Sequence, residues 1–283
     1  MASSRSTGPG WQAGGVSRHP YLDGPYPRAY AHRGWHVGEL AGCENTLAAF
    51  HRAADEGFGY LEMDVHASVD GVVMVHHDRS LDRTTDGQGL LAALPAVEIE
   101  RANVGGKEPV PRLERVLAEL PDTRMTIEIK SAAAVLPTLA ALDRADAWHR
   151  VCLGSFDERW LRQARAAAGD RLMTSMAQLS AFGLRGRAWL DALPGPLSLL
   201  ARVPLLPPVL GGLAQLPRRF GALTVVDAAL LAIAHATERE VHVWTVDTAD
   251  EMGELLDMGV DGLLSDRPDL LRDVLQSRDA WAG

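Results

Sequence analysis

Short runs of β-forming residues alternate with helical patterns along most of this chain, and that alternation constrains the fold more than any other feature. AYAH at 29–32 leads to a helical pattern over Thr46 to Glu56, capped at Asn45 or Thr46, and then to YLEMDV at 60–65. VVMVHH at 72–77 follows an Asp70-Gly71 turn, TIEIK ends at Lys130, VCLGSF spans 151–156 and RLMTS spans 171–175. VHVWTV at 241–246 and GLLS at 262–265 close the series, with helical patterns at 157–168, 227–239 and 248–258. Eight such runs predict an α/β fold, a single-domain (β/α)8 TIM barrel, with an open doubly wound sheet as the alternative. LTVVD at 223–227 is a candidate ninth run.

One connection breaks the pattern. Only HASVDG separates the second and third runs, too short for a helical crossover. A plain hairpin would make that pair antiparallel. The expectation preferred here is that the chain descends in extended form, turns at Asp70-Gly71 and climbs again, bringing Glu62, Asp64 and His77 to one rim.

Polar residues gather at the C-terminal ends of the runs: His32 and Arg33, Glu62 and Asp64, His77 and Asp78, Glu128 and Lys130, and Trp244. Polar groups in apolar strands are costly unless paired, and this rim of a barrel is where catalytic side chains accumulate. Glu62 and Asp64, two apart, share one strand face and can hold a single hard cation together, with Glu128 as a third oxygen ligand. Three carboxylates without cysteine suit Mg2+ or Ca2+ better than zinc. His36, His51, His66, His149 and His235 read as structural or surface residues, and His76 is set aside in favour of His77.

A net charge of -9 argues against a partner held by clustered Lys and Arg, so no nucleic acid is expected. Cys43 and Cys152 are the only cysteines, far apart, which suggests neither a disulfide framework nor a thiolate zinc site and makes a reducing cytoplasm the expected location. Residues 1–27 are rich in Gly, Ser and Pro without an apolar leader core, and read as a flexible N-terminal arm before a barrel domain over 28–283. Docking of this arm through Trp11 and Tyr21 is the opposing reading.

The order of these motifs resembles the glycerophosphodiester phosphodiesterase family, barrels of the PLC-like phosphodiesterase type. HRG at 32–34, ENTLAAF at 44–50, EMDV at 62–65, DG at 70–71 and HDRSLDRTTDGQG at 77–89 carry the resemblance. PVPRLERVL at 109–117, EIK at 128–130, VWTVD at 243–247 and GLLSDRPDLL at 262–271 extend it over roughly residues 28 to 275, most weakly between 176 and 222. Two positions depart from the pattern. Cys43 stands where the family usually has proline before ENT, and Asp247 where it usually has asparagine, a change expected near the alcohol pocket.

The resemblance implies metal-dependent hydrolysis of a glycerophosphodiester to glycerol 3-phosphate and an alcohol. It implies a cation on Glu62, Asp64 and Glu128, with Arg33 and Lys130 binding the phosphate. His32 and His77 would act as general acid and base, in an order left open. Glu44 would orient the site, and Trp244 would pack on the glycerol or the leaving group. The attacking oxygen belongs to water or to a neighbouring substrate hydroxyl.

GPLSLLARVPLLPPVLGGL at 195–213 is unusually apolar, but four prolines and Arg202 exclude a membrane span. An apolar lip there, with Leu199, Leu200, Leu205 and Leu206 at the barrel mouth, would add a peripheral membrane contact. It would also shift the substrate to lysophospholipids, making the protein a lysophospholipase D-type enzyme. A binding protein that holds a phosphorylated ligand without turnover is the reading from another class.

Overall fold

The computed structural model describes residues 19–194 and 206–282. Eight parallel strands form a nearly closed barrel, each followed by a helix. In chain order the strands of the sheet are β1 (Arg28–His32), β2 (Tyr60–Ala67), β3 (Val73–Val75), β4 (Arg124–Ile129), β5 (Val151–Gly154), β6 (Met173–Thr174), β7 (Leu213–Pro217), β8 (Glu240–Trp244) and β9 (Gly262–Ser265). All but β3 are barrel staves, in the order β6-β5-β4-β2-β1-β9-β8-β7. The seam closes where Ser175 bridges Leu213 in parallel. Gly211 makes that approach possible, because its φ is +95° and a Cβ there would lie 2.6 Å from the Ser175 carbonyl oxygen.

The helices that follow the staves are α1 (Leu47–Asp55), α2 (Leu113–Glu119), α3 (Val135–Arg144), α4 (Glu158–Ala168), α5 (Gln178–Asp191), α6 (Ala228–Ala236), α7 (Ala249–Met258) and α8 (Pro268–Ser277). Side-chain oxygens cap several of them. Thr46 accepts from Ala49 N at α1, Asp157 from Arg159 N at α4, and Thr248 from Glu251 N at α7. α1 buries Leu47, Ala49, Phe50 and Ala53, and a ring the size of Phe50 is worth about 1.5–3 kcal/mol when fully covered.

Two expectations are corrected. The run at 72–77 is not a stave: β3 pairs antiparallel with β2, Val65 opposite Val75 and Ala67 opposite Val73. The pair is the plain hairpin, because Ser68 and Val72 exchange turn hydrogen bonds around the Asp70-Gly71 corner. His77 still reaches the rim, since β2 overshoots it and β3 returns, with His76 N donating to Asp64 O at 2.9 Å. The missing stave is LAQLP at 213–217, whose central glutamine and terminal proline hide it as a strand. LTVVD supplies only Leu223 and Thr224 to a two-stranded ribbon outside the barrel.

Above the rim, residues following the hairpin build a small lobe on Met74, Leu81, Leu91, Ile99, Val104 and Val110. Residues 1–18 of the expected arm lie outside the described residues, whereas Tyr21 and Leu22 are buried beneath the barrel. No helix among the described residues is long and apolar enough to cross a membrane.

Candidate active site

β1 ends on His32, whose partner across the β1–β2 register is Glu62; Asp64 lies opposite Glu128 across β2–β4. Strand alternation puts Glu62 and Asp64 on the same inner face, both buried. One carboxylate oxygen from each of Glu62, Asp64 and Glu128 lies within 4.8 Å of the others. Lys130 Nζ sits 3.0 Å from both Asp64 Oδ1 and Glu128 Oε1. One ammonium thus pairs its charge with both carboxylates.

The turn after β1 is built to aim Arg33. Arg33 and Asn45 both adopt left-handed backbone, φ 56° and 59°, and Gly34 follows at φ 85°. A Cβ on Gly34 would lie 2.9 Å from Ala49, so the turn presses directly on α1. Arg33 Nε then stands 3.3 Å from Asp64 Oδ2, to which Asn45 Nδ2 donates at 2.9 Å.

The charges follow from this crowding. Burial, reinforced by the neighbouring Asp64 charge, lifts the Glu62 carboxyl to about 8, and burial also lifts that of Glu128. Asp64 moves the other way. Burial would raise its carboxyl, but Lys130 and Arg33 outweigh it and hold the group below the usual aspartate range. Two buried carboxyls lifted toward protonation beside a third held ionised fit a hard divalent cation, and the Lys130 ammonium between Asp64 and Glu128 marks where positive charge is already drawn.

Both candidate catalytic imidazoles are held through Nδ1 by an aspartate. His32 Nδ1 lies 2.6 Å from Asp266 Oδ1, and His77 Nδ1 lies 2.6 Å from Asp78 Oδ1. This leaves each Nε2 as the outer edge of its ring, and that of His32 is 3.5 Å from Glu62 Oε2. Burial opposes charge on His32, but Glu62 and Asp266 prevail and raise it to about 9. Arg83 donates to Asp78 and, at 2.9 Å, to Glu44; Arg33 donates to the same Glu44 oxygen at 3.2 Å. Glu44 therefore ties the His77 side of the site to the Arg33 side.

His32, Arg33, Glu62, His77, Glu128, Lys130 and Trp244 line one pocket, with Asp64 and Glu44 behind them. Sequence reasoning assigned no role to Asp266, Arg83, Thr126, Gln215 or Phe156. Asp266 had a signal, an acid one residue past the last strand on the catalytic rim. Asp247 accepts from Ser265 Oγ at 3.0 Å and Asp266 N at 2.8 Å, so it braces the loop carrying Asp266 rather than the pocket wall.

Phe156 and Trp244 meet edge to face at 5.8 Å on the apolar wall, joined by Met176 and Leu264. Leu199, Leu200 and Leu205 lie outside the described residues. Leu206 packs on Gly186 of α5, where a Cβ would come 3.0 Å from it.

Known proteins resemble this chain in sequence and in fold. Residues 28–270 match the Glycerophosphoryl diester phosphodiesterase family. The probable glycerophosphodiester phosphodiesterase 2 of Mycobacterium tuberculosis is 41% identical over 256 residues, spanning 90% of this chain and 93% of that protein. A crystal structure of a putative glycerophosphoryl diester phosphodiesterase from Silicibacter pomeroyi superposes with a TM-score of 0.74 at 24% identity, covering 94% of this chain and all of the other. A phosphodiesterase from Oleispira antarctica, solved with its product sn-glycerol-3-phosphate, gives 0.68 at 21% identity over 89% of this chain and 97% of that one. At these identities the solved structures speak for the fold.

Proposed function

The chain belongs to the glycerophosphoryl diester phosphodiesterase family, and from that premise we propose that it hydrolyses glycerophosphodiesters to sn-glycerol 3-phosphate and an alcohol with a divalent cation, Mg2+ or Ca2+. One observation carries the reading: two aspartate-held imidazoles share a pocket with Arg33, Lys130 and the carboxylates of Glu62 and Glu128, which converge with that of Asp64 behind them.

A cation held by Glu62, Asp64 and Glu128 would supply Lewis-acid polarisation of a phosphoryl oxygen. Arg33 and Lys130 offer positive charge to the remaining phosphate oxygens, where negative charge grows in the transition state. Glu44 keeps the Arg33 guanidinium facing the pocket. One histidine takes the proton from the attacking oxygen at its Nε2, and the other delivers a proton to the oxygen of the departing alcohol. The attacker is water, or a neighbouring substrate hydroxyl whose cyclic phosphate is then opened by water. Asp266 and Asp78 stabilise each imidazolium as it forms and keep its ring from turning. The Trp244 ring packs on the glycerol or the leaving alcohol.

The test is incubation with glycerophosphocholine and Mg2+ or Ca2+, followed by phosphorus NMR, with lysophosphatidylcholine in parallel. Formation of sn-glycerol 3-phosphate from the soluble diester is expected. Stoichiometric binding without product would instead identify a binding protein.

A further inference from the structure

The segment ahead of the first strand reaches Thr126, a residue that lines the pocket. Pro20–Asp23 forms a 3-10 turn beneath the barrel. Its carbonyls are clamped from the strands: Arg28 donates to those of Leu22, Gly24 and Pro25 while pairing with Glu240, and Tyr60 Oη donates to that of Tyr21 at 2.9 Å. The wholly buried Tyr21 ring thereby enters the barrel bore, in the apolar cluster on which Trp244 rests.

Its hydroxyl sits in the middle of a hydrogen-bonded row. Tyr21 Oη is 2.8 Å from Thr126 Oγ1 and 2.9 Å from Tyr30 Oη. Tyr30 Oη is 3.0 Å from His242 Nδ1, and His242 Nε2 is 3.0 Å from Glu240 Oε2. At the upper end Gln215 Nε2 donates to Thr126 Oγ1 at 2.9 Å. Thr126 and Gln215 line the pocket.

The upper end fixes the direction of the row. Gln215 Nε2 donates to Thr126 Oγ1, so Thr126 donates to Tyr21, Tyr21 to Tyr30 and Tyr30 to His242 Nδ1, which leaves His242 Nε2 to donate to the Glu240 carboxylate. Turning that amide over would set two acceptors against each other in a buried site, which is costly. What Gln215 has left for the pocket is its carbonyl oxygen and its second amide hydrogen, an acceptor beside a donor, the complement of a vicinal diol.

We propose that Tyr21 is a positioning residue which, through Thr126, holds Gln215 to recognise the two glycerol hydroxyls of the substrate. The identity of the diol rests on the function proposed above.

The test is calorimetric binding to the full chain with Mg2+ or Ca2+, comparing sn-glycerol 3-phosphate with inorganic phosphate. The parent protein should prefer the glycerol ester. Tyr21→Phe, which keeps the ring, should reduce that preference about 3- to 10-fold, the range for one hydrogen bond, with phosphate binding changed less than about twofold. Thr126→Val should do the same from the other side, and the double variant should lose no more than Thr126→Val alone, because both cut one row. Leu22→Ala should lower the melting temperature and leave the preference intact. A parent without preference, an unchanged preference in Tyr21→Phe, equal weakening of both ligands, or additive losses would each overturn the inference. Turnover of glycerophosphocholine by the parent is read separately, so failure of the proposed reaction and failure of diol recognition are distinct results.

Discussion

His32 Nδ1 and Asp266 Oδ1 lie 2.6 Å apart, joining the ends of the paired strands β1 and β9 across the barrel rim. His36 Nε2 approaches the same oxygen at 3.2 Å, and Asp247 holds the Asp266 amide from behind. Two imidazoles thus hold the carboxylate while Asp247 holds the backbone that carries it, and its position sets the plane of the His32 ring.

Asp266→Asn should therefore lower kcat on glycerophosphocholine by about 10- to 100-fold, the usual cost of losing a group that orients a functional imidazole. KM should change by less than about threefold, since Asp266 does not line the pocket. Steady-state kinetics of the variant decide this, and an unchanged kcat would remove Asp266 from the account.

Glu62 gives a pH prediction for the metal-free protein. Its carboxyl is raised from 4.5 to about 8, so the stability that the protonated group contributes is full below about pH 4.5 and is lost as pH rises through 8. Glu62→Gln, which imitates the protonated form, should melt several degrees above the parent in chelator at pH 8.5, at about 2–4 °C per kcal/mol. The two should converge near pH 4.5. Added Mg2+ or Ca2+ should reverse the order at pH 8.5, since only the parent keeps all three ligands. Thermal scans across this pH range measure both effects.

The histidines should separate by leaving group. His32→Ala and His77→Ala should each cost about 100- to 10,000-fold in rate, with smaller effects on substrate binding. A p-nitrophenyl diester, whose leaving group needs no proton, should rescue the variant lacking the acid and not the one lacking the base. Equal rescue of both, or of neither, would refute the division of labour.

The legible and illegible parts of this site differ in range. Glu62 and Asp64 could be placed together because two-residue spacing puts them on one strand face, and His32 and His77 because each ends a recognisable run, with Glu128 two residues before the end of another. The barrel was readable from the alternation of runs, but one stave was counted from the hairpin strand Val73–Val75 and the real one was missed. Gln215, a polar residue facing the pocket, interrupts the apolar pattern of Leu213–Pro217. A site residue thus concealed its own strand. Tyr21 was legible only as a docking residue, the opposing reading of the arm: its partner Thr126 is 105 residues away, and the Pro- and Gly-rich sequence around it resembles a linker until the barrel gives it a bore to fill.

Turnover of glycerophosphocholine against added Mg2+ or Ca2+, after removal of bound metal by chelation, tests the central claim most directly. The carboxylates of Glu62, Asp64 and Glu128 converge within 4.8 Å, and the account predicts no sn-glycerol 3-phosphate from the stripped protein. Activity should return in proportion to added cation, and Glu62→Ala or Asp64→Ala should stay inactive at every concentration while remaining folded. Near-parental turnover by the chelated protein, or by either alanine variant in chelator, would contradict it.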